Sequence, residues 1–425
     1  MNTRRWLGGL GAVCAGVLLA AHATAQGQGF RYVERSGWLA TDTNPPDTDT
    51  IDTELHDVDG DGDLDLFLAE GTAGPTGRPN RLLINDGSGR FTDESASRLP
   101  SPNNANSTEV EFADVDGDGD PDAIVANLGP EQLLLNDGTG HFTDASATHL
   151  PPPPTLFADI SAEAIFADVD NDHDPDIVVS NENPFNPASG AQNRLLVNDG
   201  TGHYTDQTAS RLPARIDQTQ GHLPLDIEGD GDLDLIVVDI GQDFVLVNDG
   251  AGHFTDQTAT RFPATTDSSR KGAVGDVNGD GCADLFIGNS RNQQNRLYLN
   301  DCHGVFADVT AATLPARNDT TTDVDLADLD GDGDLDAYVT NAGDFQVGHG
   351  FLGDLNLYYE NDGSGAFHEE TVQHFPRPSD PSTSAVFGDV DGDGDLDLVV
   401  GNSGASAGGE RLYIRAGGAP LGPPR

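Results

Sequence analysis

Short apolar runs and Asp/Gly clusters alternate along this chain, and the alternation itself repeats. Glu109-Val110-Glu111-Phe112-Ala113 alternates polar and apolar positions ahead of one cluster, and Leu64-Asp65-Leu66-Phe67-Leu68 follows another. A second run comes next, as in Arg81-Leu82-Leu83-Ile84-Asn85 and Arg194-Leu195-Leu196-Val197-Asn198. An Asp-Gly-Ser-Gly or Asp-Gly-Thr-Gly turn leads to a third run such as Phe91-Thr92-Asp93, and Leu-Pro or Phe-Pro closes the unit. Runs of this length bounded by Gly, Asp, Asn and Pro are strands joined by tight turns. Each unit therefore predicts four antiparallel strands, A to D, with the acidic cluster between A and B.

The clusters occur seven times, their first residues 50 to 61 positions apart. Four-stranded units at that period are the blades of a β-propeller, so the predicted fold is all-β with seven blades. Blade seven runs out of chain after its C strand, Arg411-Leu412-Tyr413-Ile414. The spare strand is Phe30-Arg31-Tyr32-Val33-Glu34, followed by Trp38-Leu39, at the other end. The N-terminal strand is thus expected to complete the last blade and remove an exposed sheet edge. The propeller spans 26–415, and 416–425 reads as a flexible tail.

Residues 1–25 read as a secretory signal. Arg4 and Arg5 precede the apolar stretch Trp6 to Ala21, and Ala23-Thr24-Ala25 is an A-x-A cleavage site. The run is short for a transmembrane anchor. A secreted, periplasmic or cell-surface location follows. Two cysteines remain after cleavage, Cys282 and Cys302, which in an exported chain suggests one disulfide. Cys282 lies in an A–B turn and Cys302 in the C–D turn of the same blade, and those turns share one end of a meander.

Charge narrows the chemistry. Seventy-two acidic residues against 21 basic give a net charge of −51, a field that repels nucleic acid and anionic membranes and attracts cations. Each cluster is nine residues long, on the pattern of DVDGDGDLD at Asp57 to Asp65. Position 1 is Asp57, Asp114, Asp168, Asp226, Asp276, Asp328 or Asp389, and position 3 is Asp59, Asp116, Asp170, Glu228, Asn278, Asp330 or Asp391. Position 5 is Asp61, Asp118, Asp172, Asp230, Asp280, Asp332 or Asp393. Position 7, which can offer its carbonyl, is Asp63, Asp120, Asp174, Asp232, Cys282, Asp334 or Asp395. Position 9, which can give both carboxylate oxygens, is Asp65, Asp122, Asp176, Asp234, Asp284, Asp336 or Asp397. An oxygen-rich set without His suits Ca²⁺, which takes six to eight oxygens, and argues against Zn²⁺ or Cu²⁺. Up to seven Ca²⁺ are expected. An EF-hand fits poorly, because its bidentate Glu stands at position 12 between helices. His173 replaces Gly at position 6 of loop three and must accept a positive φ there.

On these loops and on RLLINDGSGRFTD, the chain resembles FG-GAP/VCBS-repeat proteins such as the propeller domains of integrin α subunits, over about residues 30 to 415. The resemblance implies a seven-bladed propeller with Ca²⁺ in the A–B loops, and adhesion or ligand binding.

The expected function is a protein- or glycan-binding scaffold, with a polysaccharide lyase or hydrolase as the alternative. His141, His203 and His253 share one register of the repeat and do not form a catalytic group. Asp52, Glu109, Glu163 and Asp323, near the start of the A strands, are expected to form a solvated rim at one mouth of the channel. His222, Lys271, Tyr338 and His349 break the pattern, and whether they converge cannot be read from the sequence. Ligand is expected on the face opposite the acidic loops, where the B–C loops 70–80, 181–193 and 341–356 are long. Phe345, His349, Phe351 and Leu352 make the blade-six loop the first choice.

Overall fold

A computed structural model describes residues 30–40, 50–71, 77–103, 105–153, 160–182, 190–343, 345–346, 350–351, 353–376, 379–403 and 409–417. The signal segment, the last residues of the tail and the side chains of the blade-six B–C loop lie outside them.

Blade 1 shows the unit: Thr50–His56, Asp65–Glu70, Arg81–Asn85 and Phe91–Asp93 pair in that order as an antiparallel sheet. The same four-strand order recurs through the chain. The innermost strands are Thr50–His56, Ser107–Ala113, Ser161–Ala167, Thr219–Leu225, Asp267–Gly275, Thr321–Ala327 and Ser382–Gly388. Each packs on the next, and Ser382–Gly388 packs on Thr50–His56, so the sheets form a closed ring around a central channel, a β-propeller. Arg31–Glu34 pairs antiparallel with Tyr413 to Ala416, which supplies the missing fourth strand as the sequence leads one to expect.

The B strands are apolar in their central residues because both of their faces are covered. All six residues of Asp65–Glu70 and of Asp176–Asn181 are buried. The core is correspondingly divided into layers between neighbouring blades. One layer joins Leu55, Leu66 and Leu68 of blade 1 to Val390, Val399 and Leu412 of blade 7. Another joins Phe67 and Leu82 of blade 1 to Ala123 and Leu134 of blade 2. Position 2 of each acidic loop (Val58, Val115, Val169, Ile227, Val277, Leu329 or Val390) is at most 1 % exposed in such a layer. The loops are thus anchored at their second residue by burial of an aliphatic side chain.

One recurring element is absent from the sequence reading. A four-residue helix follows each D strand of the first six blades, as at Ser95–Arg98 and Thr208–Arg211. Asp93 starts the first by accepting the Ser95 N–H (3.0 Å) and hydroxyl (2.5 Å). The sequence reads this segment only as the approach to Leu-Pro. A single turn is too short to show helical periodicity.

Candidate functional site

Two ends of the ring carry chemistry. At the first, the acidic loops fold on their own hydrogen bonds. Asp57 accepts the N–H groups of Gly60 (2.8 Å) and Gly62 (3.0 Å), and Asp61 accepts that of Asp63 (3.0 Å). The position-6 N–H reaches the position-1 carboxylate again at Asp114, Asp226, Asp276, Asp328 and Asp389. In loop three it comes from His173, 3.0 Å from Asp168, at φ 74°, so His takes the left-handed conformation that Gly holds elsewhere.

Position 9 is buried at the start of strand B. Both oxygens of Asp65 already accept backbone N–H groups, from Val58 (3.2 Å) and Asn85 (2.9 Å), so metal would share them. Burial pushes Asp65, Asp122, Asp176, Asp234, Asp284 and Asp397 up to about 7, and Asp336 up to about 8.

Carboxylate oxygens converge in these loops. Asp57, Asp59 and Asp61 bring three within 4.8 Å of one another, as do Asp114, Asp116 and Asp122, Asp168, Asp170 and Asp176, and Asp328, Asp330 and Asp332. Such clusters can hold a metal ion. One oxygen each of Asp59, Asp170 and Asp391 is shielded from solvent with no hydrogen-bond partner. A buried carboxylate oxygen without a donor is costly, and a hard cation would satisfy it.

The position-7 carboxylates of Asp63, Asp120, Asp174, Asp232 and Asp334 lie against a glycine of the C–D turn, where a Cβ would collide with them. In blade five the same contact is made by Cys282 and by Cys302, which replaces that glycine at φ 62°. The two are joined as a disulfide with Cα atoms 5.4 Å apart. Their sulfurs are therefore not ligands, and only the Cys282 carbonyl remains for metal. In blade seven Asp395 instead pairs with the fully buried Arg415 at 2.7 Å.

The sequence reading missed a second group at this end. Arg98, Arg211 and Arg261, at the ends of the short helices, reach the position-3 acids Asp59 (3.1 Å), Asp170 (2.7 Å) and Glu228 (2.9 Å). Their signal was an Arg just before Leu-Pro or Phe-Pro. It recurs with the repeat but has no meaning until the short helix folds back onto the A–B loop of its own blade.

The channel is the other centre. Just past the register shift in the innermost strands stand Asp52, Glu109, Glu163, Lys271, Asp323 and Ser384, and Glu54, Glu111 and Asp325 lie two residues further along the same strands, on the same face. The expected solvated rim is corrected in part: Asp52, Glu109 and Asp323 are half-buried in the wall of the channel, and Glu163 is only 4 % exposed. Lys271 crosses to Glu109 and Glu163, 2.7 Å from each. Burial alone would push its ammonium down, but Glu109, Glu163, Asp52 and Asp323 hold it well above the usual value. Burial pushes Asp52 up to about 6 and Glu111 up to about 8.

His222 converges with Lys271 on Glu163. Its N–H donates to Glu163 (2.6 Å), and its ring meets Ser180 (2.6 Å) and Asn193 (3.3 Å). Burial pushes the imidazole down to about 4, so it is neutral. Ser180 is 0 % exposed, which makes this trio a packed hydrogen-bond network and not an open nucleophile. Tyr338 does not join it; it packs between blades 6 and 7. His349 lies outside the described residues. His141, His203 and His253 sit at C–D turns, as their common register implies.

A cavity of about 160 Å³ occupies the channel. Ile51, Thr108, Gln220, Thr322 and Thr383 line it from the starts of the inner strands, away from the acidic loops.

The FG-GAP-like repeat profile matches residues 57–125, 114–179, 226–287, 276–339 and 347–400. No curated protein matches the chain. Among solved structures, BBS1N in complex with ARL6DN is 12 % identical with a TM-score of 0.53, over 90 % of this chain and 96 % of that one. A Lactobacillus plantarum protein is 13 % identical with a TM-score of 0.51, over 80 % and 88 %. An Agrocybe aegerita lectin, solved for its recognition of non-reducing terminal N-acetylglucosamine, is 16 % identical with a TM-score of 0.47, over 86 % and 99 %.

Proposed function

The chain belongs to the FG-GAP-like repeat family, and from that premise we propose that it is an exported, Ca²⁺-loaded propeller that binds a protein or glycan on the face opposite its acidic loops. The observation that carries the reading is the set of shielded, unpartnered oxygens on Asp59, Asp170 and Asp391, each inside a cluster of further carboxylates. Ca²⁺ would be held by the acids at positions 1, 3, 5 and 9 and by the position-7 carbonyl. Bound there, it supplies charge neutralisation and ties each loop to the first residue of strand B. The Cys282–Cys302 disulfide supports an extracellular setting, and no described helix is long and apolar enough to cross a membrane.

The binding face follows from division of labour. Near-identical loops fill the metal end, whereas B–C connections of unequal length fill the other. Long loops on a rigid scaffold are where recognition residues concentrate. The test is a screen of immobilised proteins, glycans and polysaccharides, scored for binding and for bond cleavage. Saturable binding that falls when residues 345–352 become a Gly/Ser turn supports the reading. Cleavage of a polysaccharide would favour the alternative, an enzyme on a propeller scaffold. Binding abolished only by changes in the C–D turns would place the ligand at the wrong end.

A further inference from the structure

Most carboxylates of the channel have a structural task. Asp52 accepts the Val110 N–H (3.1 Å), Glu111 that of Phe166 (2.5 Å), Glu163 that of His222 (2.6 Å) and Asp323 that of Ala385 (3.1 Å). Each of these bonds latches one blade to the next. Glu109 is taken by Lys271. Glu54 and Asp325 do neither. Among the described residues no hydrogen bond reaches either carboxylate, and Asp325 Oδ2 is shielded from solvent without a partner. Both line the cavity of about 160 Å³, and so does Val386, on the blade between theirs.

The ring is therefore lopsided. Lys271 neutralises the side formed by blades 2 and 3, while the side formed by blades 6, 7 and 1 has carboxylates and no cation within hydrogen-bond reach among the described residues. The charged and titratable groups around Glu54 and Asp325 are Asp52, Glu109, Glu111, Glu163, Asp323, Lys271, Arg270 and the neutral His222, and blade 7 contributes only the uncharged Thr383, Ser384, Ala385 and Val386. Burial and the neighbouring carboxylates push both Glu54 and Asp325 well above the usual range, a cost of placing negative charge there that a cation would offset. Lys271 shows what the channel accepts: an ammonium on an alkyl stem, set between two carboxylates.

We propose that the Glu54/Asp325 side of the channel binds a second such group, the ammonium or guanidinium of a Lys or Arg side chain from a protein ligand, with its stem against Val386. This rests on the reading of the face opposite the acidic loops as the binding face, toward which the cavity lies, and it chooses a cationic protein over a glycan. An amino sugar carries its ammonium on a hydroxyl-covered ring and would set polar groups against Val386. A hard divalent ion would leave that apolar wall unused.

The experiment uses the mature chain saturated with Ca²⁺ and titrates it calorimetrically with N-acetyl-lysine methylamide, N-acetyl-arginine methylamide, glucosamine and Mg²⁺. The expected result is one saturable site per chain for the lysine or arginine probe, tightening as pH rises, because a cation favours the ionised pair. In the Glu54→Gln/Asp325→Asn variant it should weaken by on the order of tenfold or more. That variant keeps side-chain shape and removes buried like charge, so it should melt no lower than the wild type. Absence of saturable binding by both amino-acid probes, equal affinity in the variant, or preferential binding of glucosamine or Mg²⁺ would each overturn the proposal. The probes report on the channel alone, so their failure leaves the broader binding-face reading to the macromolecular screen.

Discussion

The two ends of the ring handle negative charge in opposite ways. At the loop end, acids recur at fixed positions, are held by backbone N–H groups of their own loop, and are relieved locally, by Arg98 at Asp59 or Arg211 at Asp170. In the channel, acids from different blades meet, and the chief relief is Lys271 reaching across to two of them. Repetition builds the first kind of site from one blade at a time. The second exists only once the ring has closed, because its members lie far apart in sequence, as Glu109 and Lys271 do.

Closure is the sharpest way to break the contrast. Deleting Phe30 to Trp38 removes the strand that pairs with Tyr413 to Ala416 and leaves an unpaired edge. The largest effect is expected here: loss of the cooperative melting transition, or aggregation in size-exclusion chromatography, with channel and loops lost together. A monomer with the wild-type midpoint would show that the ring does not depend on this strand.

Lys271→Met attacks the channel alone. Removing one partner of a buried pair costs about 3–5 kcal/mol. Without the ammonium, Glu109, already pushed up by burial, is held in the protonated form more strongly when folded than when unfolded. Folded-state proton uptake of that kind stabilises at low pH and is lost as pH rises through the raised value. The variant's deficit in denaturant melts should therefore be larger at pH 8 than at pH 5, while Ca²⁺ affinity stays at the wild-type level. A uniform deficit across pH would mean that packing, not charge, is what Lys271 supplies.

The disulfide tests the loop end in the same manner. Cys282→Ser/Cys302→Ser opens a closed loop with a sequence separation of 20 and should cost roughly 3 kcal/mol on the chain-entropy account. The loss should be independent of pH between 5 and 8. Intact-mass analysis of the wild type should show both thiols oxidised.

The smallest effect belongs to Glu111. Its folded value is raised by burial to about 8, so its contribution to stability is complete below the unfolded carboxylate range and is lost as pH rises through 8. Glu111→Gln can still accept the Phe166 N–H, and it should flatten the fall in melting midpoint between pH 6 and pH 9. The difference near pH 7 should be about 1–2 °C. An unaltered slope would show that Glu111 does not titrate in this range.

How much of this was legible in the sequence follows the same division. The four-stranded unit, the closing role of Phe30 to Glu34 and the pairing of Cys282 with Cys302 all rest on relations that repeat blade by blade. The tolerance of His173 for a positive φ could likewise be read from one loop and its sisters. The channel could not be read that way. Asp52, Glu109, Glu163 and Asp323 looked like a solvated rim because alternation places them on one strand face without saying how narrow the channel is. His222 and Lys271 were visibly off-pattern, yet only stacking shows that both meet Glu163. The Arg98 to Asp59 contact was missed for a related reason: the repeat displays both residues, but it joins one blade's last element to its own A–B loop, 39 residues earlier.

Equilibrium binding of Ca²⁺ to the mature chain tests the central claim most directly. Native mass spectrometry with a melting curve on the same samples gives stoichiometry and linkage together. The account predicts several Ca²⁺ per chain, one fewer for Asp116→Asn/Asp118→Asn, and a midpoint that falls by about 10 °C or more in excess chelator, since each saturated site contributes on the order of 3 kcal/mol. No bound Ca²⁺ in the wild type, or a midpoint unchanged by the chelator, would contradict it.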